Sequence, residues 1–440
     1  MAGLTRRGFL KAGAAGAFAA SGLGMGACSY GGRKTINGKP VLNMWTWDRN
    51  GRGPFHANAW KLYKKAKNPD FEVELLYLPF QQMHDKILIA AEAGSGGPDI
   101  TDIEISSFGR FIRGDPIFAD LTAELTRQQL LDKLYRPSAT DPWSYKGKVY
   151  GLGNELNTCM MCYRFDLYEK AGVTTPINTW DQFAEEGRRY HKNTGKYLID
   201  VEYLDWAEWW MLTLQQGGGF FNAKGDPTID SPEGLRTLNY RLNSLKEGWS
   251  FRRSSTSGSP QQFTAVGAGQ VATLIGPSWY FSGNTKNYIP NTSGKWRLQP
   301  FPRWTDGGSQ TATHGGTGVC VLKAGPYVDE ARDFVIWAHS NVDAIMFDYK
   351  NRQTFPTYRP AYDQAALKEP VAFFDNQKVG QLINQVSPGI NRWYNSPFWP
   401  NATDTTVREA ITPALGKNVA PQKALNKAQR DTVSTINFSS

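Results

Sequence analysis

Residues 71–105 read FEVELLYLPFQQMHDKILIAAEAGSGGPDITDIEI. Val73 and Leu75 alternate with Glu72 and Glu74, which predicts a strand over Phe71–Leu78 with one buried face. Gln82–Ala93 changes to helical periodicity and stops at the breaker cluster Gly94-Ser95-Gly96-Gly97-Pro98. Ile100–Ile105 then reads as a third kind of segment, a short apolar strand. Upstream, Val41–Trp45 predicts a strand and Asn58–Ala66 an amphipathic helix. The order β-α-β-α-β implies right-handed crossovers and a parallel sheet.

The alternation resumes further along. Thr179-Trp180-Asp181-Gln182 has capping-box spacing before a helix through Arg189, and Ser231-Pro232-Glu233 supplies an N-cap, a first-turn proline and a first-turn acid before a helix over Gly234–Gly248. Val271–Ile275 and Gly318–Leu322 predict short strands. Helices are expected at Ala331–Ala338, Val342–Lys350, Asp375–Asn384 and Thr406–Leu415. A chain of 440 residues, 40% hydrophobic, exceeds what one core normally supports, so two lobes are expected.

The amino terminus reads as an address. Thr5-Arg6-Arg7-Gly8-Phe9-Leu10-Lys11 resembles a twin-arginine export signal, and Met25-Gly26-Ala27-Cys28 resembles the box at which bacterial lipoproteins are cleaved and lipidated on cysteine. Gly13, Gly16 and Gly22 interrupt the apolar run, leaving it too short to span a bilayer. The expected division is a signal peptide at 1–27 and an anchored linker at 28–40 with lipid on Cys28. The net charge of +9 includes Arg6, Arg7 and Lys11 and no acids from the leader, so +6 remains, mild for this length and without the basic stripe of a nucleic-acid binder.

Cysteine usage points to packing. Cys159-Met160-Met161-Cys162 invites a redox reading, which needs an exposed cysteine at a helix N-terminus. The pair lies within Thr158–Tyr163, which predicts a buried strand whose side chains three apart face opposite ways. The five histidines are scattered, none at ligand spacing from a cysteine, so no metal is expected.

Fifteen tryptophans and nineteen tyrosines decide more, because many fall beside Gly, Pro, Asp or Asn instead of on periodic faces. Trp45-Thr46-Trp47-Asp48 closes the first strand, Tyr203–Trp210 holds four aromatics and two acids, Gly276-Pro277-Ser278-Trp279-Tyr280 follows a strand, and Asn391–Trp399 clusters four more aromatics. Rings beside short carboxylates and amides suit a sugar, which offers C–H faces for stacking and hydroxyls for charge-assisted hydrogen bonds. About eight such contacts at roughly 1 kcal/mol each give micromolar affinity. An exported hydrolase is the rival, with Glu104, Glu155, Asp205 and Glu208 as candidate carboxylates. No nucleophile elbow, zinc-helix or phosphate-loop motif occurs, so neither a catalytic residue nor a cofactor is expected. A binder of a non-sugar ligand is the other alternative.

From Val41 to about Leu415 these segments resemble, in order and spacing, the extracellular solute-binding proteins of carbohydrate ABC importers, in the same broad family as the maltose-binding proteins. The likeness rests on Trp45–Asp48, Gln82–Lys86 through Gly94–Ile100, Tyr150-Gly151-Leu152, Tyr163–Leu167, Lys170–Val173 with Thr179-Trp180-Asp181, and Gly276–Trp279. Gln82–Gly114 is especially similar to the arabino-oligosaccharide-binding lipoproteins of Gram-positive bacteria.

The resemblance implies an α/β, two-lobed periplasmic-binding-protein fold of type II, with parallel-rich sheets flanked by helices and a hinged cleft. It implies an N-terminal lobe of 41–153 and 306–340 and a C-terminal lobe of 154–305 and 341–440. It further implies a monomer outside the cytoplasmic membrane that binds a sugar and delivers it to permease subunits powered by an intracellular ATPase. Carried over by position, Trp47, Asp48, Glu104 and Ser107 contact ligand from the first lobe, Asn154, Glu155 and Asn157 at the first crossing, and Trp206 and Trp209 from the second. Ser278 displaces the tryptophan expected after Gly-Pro, so the floor ring is Trp279 or Tyr280. His314 with Gly315 enters the returning strand as either a cleft residue or a neutral core histidine, and Trp393 and Tyr394 are offered as a further subsite.

Overall fold

The computed structural model describes residues 35–36 and 39–439. The leader, Cys28 and most of the expected linker lie outside these residues. Thirteen strands occur among the described residues: β1 (Thr35–Ile36), β2 (Lys39–Thr46), β3 (Glu72–Tyr77), β4 (Ile100–Glu104), β5 (Ser144–Tyr145), β6 (Lys148–Val149), β7 (Gly151–Gly153), β8 (Cys159–Arg164), β9 (Tyr197–Glu202), β10 (Ser250–Arg253), β11 (Val271–Pro277), β12 (Trp296–Gln299) and β13 (Thr317–Val321).

The expected β-α-β-α-β unit is present. β2 pairs in parallel with β3 and with β4, and the helices Arg52–Ala66 and Phe80–Ala93 provide the crossovers. Gly94 closes the second helix in the left-handed conformation, φ 67°, which a residue without Cβ adopts freely. β13 then arrives from more than two hundred residues away and inserts antiparallel between β4 and β7, with Thr317 opposite Glu104 and Gly318 opposite Gly153. The first sheet is therefore mixed.

A second five-stranded sheet runs β10-β9-β11-β8-β12. Its β9 pairs in parallel with β10 and β11, whereas β8 is antiparallel to β11 and β12. The chain thus builds the first sheet, leaves it after Gly153, builds the second, and returns at Thr317. This is the two-lobed architecture in which each sheet has its own helices and cores.

β8 is buried on both faces. Cys159, Met161 and Tyr163 enter one core while Met160 and Cys162 enter another, so the two thiols point apart. Burial pushes both thiols well above their ordinary value, the opposite of what redox chemistry requires. Thr179 and Ser231 cap their helices through Gln182 N–H at 3.1 Å and Gly234 N–H at 3.2 Å. The helix expected at Asp375–Asn384 begins instead at Val379, because Asp375 and Asn376 take positive φ. The helix expected from Asn58 begins at Arg52, where Asp48 receives the main-chain N–H groups of Gly51 at 2.8 Å and Arg52 at 3.1 Å. Among the described residues no helix is long and apolar enough to cross a membrane.

Candidate functional site

The carboxyl end of β4 runs straight into a helical turn, Ile105–Phe108. Glu104 caps that turn, its Oε2 accepting the Ser106 N–H at 2.8 Å and the Ser106 hydroxyl. Burial pushes the Glu104 carboxyl up to about 7 against the pull of those hydrogen bonds. Ser107 is buried in the turn behind it. The Glu104 N–H points to Nε2 of His84 at 3.5 Å, while His84 Nδ1 lies 2.8 Å from the Phe80 carbonyl. A neutral ring carrying its proton on Nδ1 satisfies both contacts, and burial lowers the His84 pKa in accord with neutrality. Trp47, half-buried, meets Phe80 edge-on at 5.1 Å and lies tilted over His84 at 5.4 Å. Trp47, Phe80, His84 and Glu104 therefore form one wall.

The returning segment His314-Gly315-Gly316 ties that wall to the second sheet. Its Gly316 carbonyl accepts the Ile105 N–H at 3.1 Å, its Gly315 carbonyl accepts the Asn157 amide at 3.1 Å, and its His314 carbonyl accepts the Trp279 indole N–H at 3.3 Å. Both glycines take positive φ, and a Cβ at Gly316 would stand 2.6 Å from Asn157 Nδ2. Only glycine allows this approach. The His314 ring contacts Trp206 at 5.2 Å and Trp279 at 6.4 Å. Burial depresses His314 to about 4 despite the nearby Asp205, so the ring is neutral, and its Nδ1 has no hydrogen-bond partner among the described residues.

Several expected residues lie elsewhere. Trp209 is fully buried, its indole donating to the Gly234 carbonyl at 3.1 Å, so it packs the core instead of lining a cleft. Of the two candidate floor rings, Tyr280 is sealed behind β11 with its hydroxyl on Gln262, leaving Trp279 as the half-buried one. Trp393 is also buried, its indole on the Pro137 carbonyl at 3.2 Å, and it stands against Trp210 and Trp399. Tyr394 remains half-buried beside a cavity of about 380 Å³. Asp48 has both carboxylate oxygens engaged in capping its helix.

Asn154 and Glu155 belong to a buried network at the first crossing. Arg52 donates to Asn154 Oδ1 and to Asp102, both at 2.9 Å; Asn154 Nδ2 donates to Asp348 at 2.8 Å; Arg352 holds Asp348 at 2.6 Å and Glu155 at 2.7 Å. His56 adds a contact to Asp102 at 3.0 Å. Although burial alone would raise it, the charge of Arg52 and the hydrogen bond with His56 hold Asp102 well below the usual carboxylate range. The helix Val342–Arg352 that supplies Asp348 and Arg352 packs on Arg52–Ala66 and also contributes Ile345, Met346 and Tyr349 to a core of the second sheet. The network thus joins the crossing strand to elements of both sheets.

Of the carboxylates considered for hydrolysis, Glu155 pairs with Arg352, Glu208 pairs with both Arg241 and Arg253, and Asp205 accepts the Trp206 N–H at 2.6 Å. Among the described residues no group of three or more His, Cys, Asp or Glu side chains is placed to hold a metal. The arrangement offers rings, amides and the buried carboxyl of Glu104, which is the chemistry of reversible binding.

Residues 49–345 match the bacterial extracellular solute-binding proteins, and the chain belongs to that family. It is 28% identical over 417 residues to the arabinooligosaccharide-binding protein of Bacillus subtilis, covering 92% of this chain and 95% of that protein. It is 27% identical over 370 residues to the arabinooligosaccharide-binding protein of Halalkalibacterium halodurans, covering 82% of each. In fold it is similar to the sugar-binding protein MalE from the phytopathogen Xanthomonas citri, with a TM-score of 0.77 at 15% identity over 90% of this chain and 98% of that one.

Proposed function

We propose that this protein is the receptor of a carbohydrate ABC importer, anchored outside the cytoplasmic membrane through lipid on Cys28, and that it captures a short oligosaccharide for delivery to permease subunits driven by an intracellular ATPase. The observation that carries the reading is the convergence of Glu104, Asn157, Trp206 and Trp279 on the segment His314–Gly316. In this reading Trp279 and Trp206 stack on sugar faces, and Glu104, Asn157 and Trp47 line the remainder. Arabinose-containing oligosaccharides are the first candidates, supported by the names of the two relatives above.

The lobes close by rotation about the crossings, since a ligand touching both stabilises the closed state by its differential affinity. In this reading the protein performs no chemistry of its own, which the pairing of Glu155 and Glu208 with guanidinium groups supports. Calorimetric titration of the full chain, in mild detergent, against arabino-, xylo-, malto- and cello-oligosaccharides tests this. Micromolar or tighter binding of one series with the sugar recovered intact supports the receptor; cleaved product would transfer the protein to the hydrolases.

A further inference from the structure

The cavity of about 380 Å³ beside Tyr394 lies between two turns that continue from different cores. One is the β5–β6 hairpin turn Lys146-Gly147, which follows Tyr145 and precedes Val149, both packed with first-sheet cores. The other is Asn222–Gly225, which follows Phe221 of a second-sheet core and is held by Asn222 Oδ1 accepting the N–H groups of Lys224 at 2.9 Å and Asp226 at 3.0 Å. Trp393 forms part of the wall and touches Trp210, which touches His314 at 6.0 Å. The cavity lining is thus linked to His314 of the candidate site through two buried rings, Trp393 and Trp210.

Its charge is one-sided. Arg136, Lys146, Lys224 and Arg392 line it, and Asp141 is the one acidic residue among the described lining residues. Asp141 is itself buried and shared by two guanidinium groups, Arg392 at 3.2 Å and Arg136 at 3.8 Å. One carboxylate against four cations leaves three positive charges around a water-accessible space. The Arg392 guanidinium stands 5.9 Å from the Tyr394 ring, so a cation and a stacking face occur together.

A neutral sugar has no use for this excess, whereas a carboxylate matches the fork of a guanidinium and gains from every cation nearby. We propose that the cavity is an anion-accepting extension of the binding site, and that the preferred ligand is an oligosaccharide carrying a carboxylate, as on a uronic acid residue, with Tyr394 beneath the acidic ring and Arg392, Lys146 and Lys224 around its charge. This rests on the sugar-receptor reading and specifies its substrate class.

The test is calorimetry on the full chain with matched oligosaccharides, one neutral and one bearing a single glucuronic acid residue, at low and moderate salt. The acidic member is expected to bind at least tenfold tighter, with the advantage shrinking as salt rises. In the double variant K146Q/K224Q, at two positions where folding does not depend on a buried pair, the advantage falls while neutral-sugar affinity stays within twofold. Equal or weaker binding of the acidic member, or an advantage that survives the double variant, overturns the acidic subsite and leaves the receptor reading standing. Binding of neither member overturns both.

Discussion

The indole N–H of Trp279 donates to the main-chain carbonyl of His314 at 3.3 Å, fixing a ring from the end of the second sheet on the segment that leads back into the first. That one bond sets the orientation of the ring that stays half-exposed while its neighbour Tyr280 is sealed. Trp279→Ala should therefore weaken oligosaccharide binding by roughly tenfold or more, the loss of about one stacking contact, with a small effect on melting temperature. Titration of the variant beside the natural protein measures it, and unchanged affinity would remove Trp279 from the site.

Tyr280→Phe should behave in the opposite way. The change removes a buried hydroxyl that donates to Gln262 Oε1, which keeps the Gly258 N–H at 3.0 Å, so the loss is that of one hydrogen bond, about 0.5–1.5 kcal/mol in stability. Chemical denaturation should show the loss, and oligosaccharide affinity should change by less than threefold.

Asn154→Ala separates the crossing from ligand contact. Both ends of the Asn154 amide are occupied, by Arg52 and Asp348, so the variant leaves a buried guanidinium and carboxylate under-satisfied at a cost of about 3 kcal/mol. The expected readout is a fall of several degrees in melting temperature. Titration should show a smaller affinity loss than Trp279→Ala; a larger one would place Asn154 on the ligand.

Stability should depend on pH in a two-sided way. Glu104 and Glu202, each pushed up to about 7 chiefly by burial, keep protons in the folded chain that the unfolded chain releases above about pH 4.5. Their effect is a stability that declines as pH rises through that window. His314 and His339, lowered to about 4 and about 3 by burial, bind fewer protons folded than unfolded below pH 6.5, so their effect is a decline as pH falls. The opposing slopes overlap between about pH 4.5 and 6.5, where Asp200, raised to about 6 by burial, adds to the carboxyl side, so stability gains nothing from rising pH across that window and falls further between about 6.5 and 7. Calorimetric melting from pH 4 to 8 checks this, and a melting temperature that climbs steadily to pH 8 would contradict it.

Much of the fold is legible in the sequence because its signals are local. Alternation in Phe71–Leu78, the Gly94–Pro98 breaker and the caps Thr179 and Ser231 each act within a few residues, and each recurs in the structure. The start of the helix at Arg52 is hidden by Gly51, Gly53 and Pro54, whose loop-like composition gives way to the cap supplied by Asp48. Trp209 illustrates the limit for the site. The helix Ala207–Gln215 is buried at every position, so no periodic face marks which of its tryptophans points inward, and only Trp206 at its cap remains half-exposed. Asn154 and Glu155 read equally well as ligand residues or as network residues until Arg52 and Arg352, distant in sequence, are brought to them. His84 and Phe80 carry no local sign of their place in the site for the same reason, since their contact with Trp47 and Glu104 arises from parallel pairing of β2 with β4.

The most direct measurement is a crystal structure of the protein with its tightest-binding oligosaccharide. Sugar density is expected stacked on Trp279 and Trp206 and hydrogen-bonded to Glu104 and Asn157, within contact of the His314–Gly316 segment. Density bound elsewhere, with those four side chains untouched, would contradict this site.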